Sequence, residues 1–284
     1  MIRPPSTPQP TSPQIDEELR RSLDRVTIAR PAATQVLAVV DNPNTNAQQL
    51  ADAVEVDPGF ATHVLRLSNS AYYGLSGRVR NTAYAVTVLG FSAIRSLAAL
   101  SAAGLDDNTR AKPEGFWSHA AATAAGCSVV ANHFGLVAGD AFAAGLLHDL
   151  GLALLHEFDP QGHRELHALH SNDGDALVAA EVARYGIGHP DAAAEVLRRW
   201  HFPADFVAAV AEHHLPGIHS SPLSHAVQIG EVLAAARNGT AEDLREDQVE
   251  RLKAASLDEE TWEALMAATR DRAAEILASL PVGL

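Results

Sequence analysis

Apolar positions along this chain recur at three- and four-residue spacing, and no convincing run alternates every second residue. The pattern predicts helices and no strand. Alanine fills 53 of the 284 positions, and it enters a helix without losing side-chain freedom. Capping residues mark where helices begin. Asn46 stands three residues before Gln49, as in a capping box. Asp57-Pro58 places a carboxylate at an N-cap and a proline in the first turn. The helix it opens carries Phe60, Val64, Leu65 and Leu67 and is expected to stop near Tyr73-Gly74. Thr82 is the expected cap of the next, running to about Ser101, and the polar stretch 106–115 reads as a connection between two halves. Further helices are expected over 116–133, 140–158, 173–185, 190–200, 204–214, 222–238, 242–255 and 259–280.

The ends differ from the body. Residues 1–15 carry prolines at positions 4, 5, 8, 10 and 13 and no apolar core segment, which predicts a disordered arm and no signal peptide. The body divides into a helical subdomain over 16–110, a second over 111–238, and acidic helices over 239–284. Residues 83–105 are the stretch most like a membrane span. Arg95 sits near its centre, where insertion costs roughly 2.5–3.5 kcal/mol, so a buried soluble helix, no membrane and a cytoplasmic protein are expected.

Charge and cysteine count narrow the chemistry. The net charge is −14, and a surface that acidic repels phosphate backbones, so no nucleic-acid partner is expected. The single cysteine, Cys127, excludes an internal disulfide and a cysteine zinc cluster. With 14 histidines, any metal chemistry here runs on imidazole and carboxylate.

The most informative segment reads Ala143-Ala-Gly-Leu-Leu-His-Asp-Leu-Gly151. A His and an Asp stand together within an apolar helix, where an unpartnered polar group costs several kcal/mol. The pair is either a hydrogen-bonded core feature or half of an ion site. Gly145 and Gly151 flank it, lowering helix propensity where something must approach closely. His119, His189, His213 and His214 lie on other helices or at their ends, which strengthens the ion reading. Other marked residues read as structure: Tyr72-Tyr73 as a helix end burying one ring, Arg66, Asn69 and Ser70 as turn hydrogen bonding, Arg78 and Arg80 as a solvated loop, and Arg198-Arg199 as cations at a helix C-terminus.

Several blocks resemble the HDOD family, the HD-related output domain of bacterial signalling proteins, over about Leu23 to Ala236. They are Val54-Glu-Val-Asp-Pro58, Leu65-Arg-Leu-Ser-Asn-Ser-Ala-Tyr-Tyr-Gly74, Ala85-Val-Thr-Val-Leu-Gly90 with Ile94-Arg-Ser-Leu97, Gly145-Leu-Leu-His-Asp-Leu-Gly151, Gly188-His-Pro190, Leu197-Arg-Arg-Trp200 with Pro203, and Glu212-His-His214. The resemblance implies an all-α fold, an N-terminal helical subdomain packed on an HD-like helical core. Matched to HD hydrolases, His119 corresponds to the first histidine and His148-Asp149 to the central pair. His189 and His213 correspond to the additional ligands of the HD-GYP type. Glu231 falls where the late aspartate of the family would stand. The implied cofactor is a divalent transition metal (Fe, Mn, Zn or Ni). Leu152 occupies the place of the lysine common in active relatives, and no HD-GYP signature follows His214.

Two functions follow from different classes. One is a regulatory module acting through contacts with a signalling protein partner, with the HD-type metal site partly retained. The other is a metal-dependent phosphohydrolase acting on nucleotides or cyclic dinucleotides, for which a nucleotide ligand would be bound. The missing lysine, the altered late carboxylate and the acidic surface favour the first.

Overall fold

The computed structural model describes residues 15, 17–26, 30–107, 110–170, 174–215, 221–236 and 244–280. Residues 1–14 of the proline-rich arm, the first residue of the helix expected at 173, and the helix end expected at 238 and start expected at 242 lie outside them. Among the described residues the regular elements are helices, with no strand. The first half contains α1 (Glu17–Val26), α2 (Pro31–Asp41), α3 (Ala47–Glu55), α4 (Pro58–Ser68), α5 (Thr82–Leu89) and α6 (Phe91–Ala102). The second contains α7 (Phe116–Val130), α8 (Ala138–Leu147), α9 (Leu150–Phe158), α10 (Pro160–His170), α11 (Gly174–Tyr185), α12 (His189–Arg199), α13 (Ala204–Ala211) and α14 (Pro222–Ala236). Two more, α15 (Glu246–Ala254) and α16 (Glu259–Leu277), follow.

Local capping rules held where side chain and backbone lie close in sequence. Asn46 and Gln49 form the reciprocal capping box of α3, and Asp57 accepts from the backbone N–H groups of Gly59 and Phe60. Three expected boundaries moved. The helix begun at Pro58 ends at Ser68, and a separate short turn over Ala71–Tyr73 leads to Gly74, which adopts φ +66°. Asn81, not Thr82, caps α5 by accepting from Tyr84. The helix expected to reach Ser101 breaks at Gly90 (φ +80°), bending by 106° between α5 and α6. A bend that sharp does not suit a straight membrane span.

Arg95, the charge within that segment, is paired with Asp41, donates to His201 O at 3.1 Å and lies over the Phe202 ring. It ties α2 and α6 to the loop after α12. Arg66 also does something other than expected: it donates to Ala278 O and Leu280 O at the end of α16, while Asn69 and Ser70 hold the turn. Among the described residues, 138–158 is long and apolar enough to cross a membrane, and 83 % of its 18-residue apolar window is buried inside the protein.

Helix α7 is the axis of the second half, packed by α8, α14 and α16. Its sequence, Phe-Trp-Ser-His-Ala-Ala-Ala-Thr-Ala-Ala-Gly-Cys-Ser-Val-Val, is small or apolar on nearly every face, as a helix buried all round must be. Small residues let the neighbours come close. A Cβ on Gly126 would lie 2.5 Å from Gly230 O in α14, and one on Gly145 in α8 would lie 2.6 Å from Cys127 Sγ. A methyl group at either crossing would push two backbones apart in an interior with no slack.

This steric limit has a direct test. Gly126→Ala should destabilise the protein by about 2 kcal/mol or more, despite about 1 kcal/mol of helix propensity gained. Gly139→Ala in α8, whose Cβ would meet nothing nearer than Leu89 O at 3.7 Å, should be neutral or stabilising by up to about 1 kcal/mol. Urea denaturation midpoints read both; equal shifts would show that the α7–α14 crossing is not limited by volume.

Candidate metal centre

Close helix packing brings five chain segments to one point. His119 lies in the first turn of α7, and Glu231 follows Gly230 in α14. His148 and Asp149 occupy a break between α8 and α9, not the interior of the single helix expected over 140–158. His148 Nδ1 donates back to Gly145 O at 2.8 Å, a local bond that competes with helix continuation. Asp149 is the N-cap residue of α9, yet its carboxylate caps nothing and turns inward. His189 begins α12, held close by Gly151, where a Cβ would stand 2.0 Å from His189 O. His213 follows α13.

These six residues face one another. His119 Nε2 lies 3.1 Å from His148 Nε2, 3.4 Å from Asp149 Oδ2 and 3.2 Å from Glu231 Oε1. His148 Nε2 is 3.3 Å from Asp149 Oδ2. His189 Nε2 and His213 Nε2 approach Asp149 Oδ1 to 3.5 and 3.6 Å. Asp149 is the hub, and Glu231 reaches the cluster despite its longer side chain.

The outer nitrogens explain the inward aim. His148 and His213 donate through Nδ1 to the carbonyls of Gly145 and Val210, the latter at 2.6 Å. His189 Nδ1 donates to Glu181 Oε2 at 2.7 Å, and its backbone N–H reaches the same oxygen at 2.8 Å. Glu181 is fully buried and also accepts from His163 Nε2 at 3.1 Å. Outer partners of this kind settle Nδ1 as the donor and leave each of these Nε2 atoms facing the centre. Glu181 was not singled out in the sequence, and nothing in its local pattern marks it.

Charge follows the same geometry. Burial pushes the His148 imidazole down, but Asp149 and Glu231 outweigh it and bring it up to about 9. Burial and the neighbouring His214 push His213 down to about 4. Burial works to raise the Asp149 carboxyl, yet His148 first among its neighbours holds it well below the usual range. Glu181 is opposed by burial and still drawn down to about 2 by His189 and His163.

The residues fit a metal ion on one observation. His189 Nε2, His213 Nε2 and Glu231 Oε2 are buried and make no hydrogen bond, although buried polar atoms are normally paired. Three overlapping triplets have ligand atoms within 4.8 Å of one another: His119–His148–Glu231, His148–Asp149–His213 and His189–His213–His214. The third brings in His214, which belongs to the histidine constellation of the sequence but not to the ligands matched to the family. A donor set of imidazole and carboxylate suits iron, manganese, zinc or nickel. A cavity of about 900 Å³ opens onto Asp149, His119, His189 and Glu231. Leu152 lines it too, 6 % exposed and without charge.

An all-helical body with a His-Asp pair at its crossing point defines an HD-type protein. The chain belongs to the HDOD family, whose domain matches residues 29–216. Its fold is similar to a candidate phosphohydrolase from Shewanella amazonensis SB2B, at 23 % identity and TM-score 0.73 over 93 % of this chain and 98 % of that one. It is also similar to the MmoQ response regulator of Methylococcus capsulatus strain Bath, at 24 % identity and TM-score 0.50 over 83 % and 95 %. An uncharacterized protein of Treponema pallidum (strain Nichols) is 23 % identical over 184 residues, 63 % of this chain and 36 % of the relative. The chain thus spans about a third of that relative's length.

Glu181 supplies a test of the outer shell. Its folded value, about 2, lies below the ordinary 4.5. The stabilisation is therefore complete above about pH 4.5 and is lost as pH falls toward 2, in total about 3 kcal/mol. Glu181→Gln should flatten the stability curve in that window and lower the denaturation midpoint at neutral pH. Acid-unfolding curves that overlay those of the unaltered protein would show that Glu181 does not hold the shell.

Proposed function

We propose that the protein is a metal-binding HDOD module of bacterial signal transduction, cytoplasmic, which acts through contacts with a partner protein. Its HD core holds a divalent transition ion through His119, His148, Asp149, His189, His213 and Glu231, with His214 within reach. The inward, unpaired Nε2 atoms of His189 and His213 carry this reading. The family membership and the response-regulator neighbour support the signalling role. On this reading residues 16–110 and 111–238 are the two halves of one scaffold, and 239–284 an acidic extension.

A bound divalent ion supplies Lewis acidity toward a phosphoryl oxygen. The chain's own groups do less for turnover. Leu152 brings neither a proton nor a charge to a leaving oxygen, and the loss of one such contact typically costs about 10²–10³ in rate. His148 and Asp149 position the ion, while Glu181 and His163 orient His189.

The second reading, a metal-dependent phosphohydrolase, is favoured by the cavity of about 900 Å³ above the centre. Purified protein should retain metal by elemental analysis and lose it on combined His148→Ala and Asp149→Ala substitution. With Mn²⁺ or Mg²⁺ it should not hydrolyse cyclic dinucleotides or nucleotides at an appreciable rate. Robust cleavage, abolished in that double variant while its circular dichroism is unchanged, would replace the contact reading with the enzyme.

Metal uptake should also depend on pH in a set direction. His148 titrates near 9, so at neutral pH its proton must leave before Nε2 can serve as a ligand. Apparent affinity should fall about tenfold per pH unit lowered from 9. Calorimetry at pH 8 in two buffers of different ionisation enthalpy should register close to one proton released per ion bound. Release of none would show that His148 is not a ligand.

A further inference from the structure

We infer that the cavity above the metal centre is a binding site for a phosphate-bearing small molecule of nucleotide size, and that α15 supplies its phosphate contacts through Arg245 and Arg251. This deepens the metal reading and rests on it. Both residues lie beyond the region matched to the HDOD family, which ends at residue 216.

The placement follows from how α15 packs. Leu252 is fully buried in a second apolar cluster with Ile229, Val232 and Leu233 of α14, the helix that carries Glu231. With that face committed, positions 245, 248 and 251, spaced by three, share another face. All three line the cavity that also exposes His119, Asp149 and His189. Gln248 Oε1 accepts from the Arg245 backbone N–H at 3.0 Å, which fixes the first turn. Arg251 Nε is buried in the wall and has no hydrogen-bond acceptor.

Arg251 in particular needs a reason. The chain is strongly acidic, with a net charge of −14, and a guanidinium Nε buried in a wall without an acceptor is poorly satisfied. The cavity offers a carboxylate and imidazole floor suited to a cation, and a guanidinium wall suited to an oxyanion. A phosphate group satisfies both at once, because guanidinium matches phosphate geometry with two parallel bonds. The remaining lining includes Phe116, Leu152, Leu177 and Val232, apolar surface that inorganic phosphate alone would leave uncovered. The volume, about 900 Å³, falls near the top of the usual range for small-molecule sites. The favoured ligand therefore joins a phosphate to a planar or apolar body.

The test uses the full chain loaded with Mn²⁺, its metal content measured, and titrated calorimetrically with AMP, GMP and inorganic phosphate. A nucleoside monophosphate should bind more tightly than phosphate. Arg245→Gln with Arg251→Gln should weaken that binding at least about tenfold, the loss of one charge-assisted hydrogen bond, with metal content and circular dichroism unchanged. Arg251→Lys, which keeps the charge but not the fork, should fall between the two. If the double variant does not fold, Arg245→Gln alone, at an exposed position, should still weaken binding. Metal-loaded protein that binds none of the probes, or variants that bind them as tightly, would overturn the inference. Failure of the metal reading shows separately, as unaltered protein that retains no metal.

Discussion

Everything at the centre of this protein depends on how closely two helices, α8 and α14, can approach α7. Where Gly126 meets Gly230, and where Gly145 meets Cys127, no space remains for another methyl group. Helices with ordinary side chains at the contact stand 8–10 Å apart, and glycine at the crossing permits a closer approach. That closeness has a chemical consequence, because His119, His148 and Glu231 each sit within seven residues of one of these glycines. The distances of 3.1 and 3.2 Å among them are inherited from backbone packing. Gly151 does the same for α9 and α12, setting His189 against Asp149.

Such packing gathers charge that must be balanced. Two carboxylates and four imidazoles share a mostly buried space, and an isolated buried charge costs several kcal/mol. The protein answers with an outer ring of acceptors. The carbonyls of Gly145 and Val210 and the carboxylate of Glu181 take the Nδ1 protons of His148, His213 and His189, so three of the four imidazoles have one settled nitrogen and one directed inward. Asp149 and Glu231 can then hold a proton at His148, while His213 stays neutral. A site with one protonated and one neutral imidazole is poised to exchange a proton for a cation.

Much of this was legible in the sequence, and the failures share a cause. Asn46 and Asp57 were readable as caps because their hydrogen bonds close within three residues. The all-helical class followed from composition and period, and the six residues that meet at the centre were named by the resemblance to HD hydrolases. What stayed hidden depends on contacts distant in sequence. Gly90 looks like any glycine within an apolar run until α6 has to turn against α8. The break at His148-Asp149 is invisible locally because Leu147 and Leu150 both continue the helical period. Helix α10, with His163, His167 and His170 among polar neighbours, has too weak an apolar stripe to declare itself. Glu181 reads as a surface glutamate on α11, and only the fold turns it toward His189. Arg66 is drawn from its own turn to the carbonyls ending α16, more than two hundred residues away.

The positions of positive charge bear most on how the two functional readings relate. Close to Asp149, where active relatives commonly place a lysine, the chain has Leu152, and among the lining residues no lysine replaces it. The cavity's guanidinium groups come instead from α15, a separate helix docked on α14 through Leu252. A cation beside the metal ligands can assist bond breaking, because it acts on charge as it develops. Cations carried by a docked helix would instead hold a bound anion, and would tie occupancy of the cavity to that helix. Both ends of such a ligand would then be gripped, with little to speed its cleavage. That arrangement suits a protein whose output depends on whether its cavity is filled.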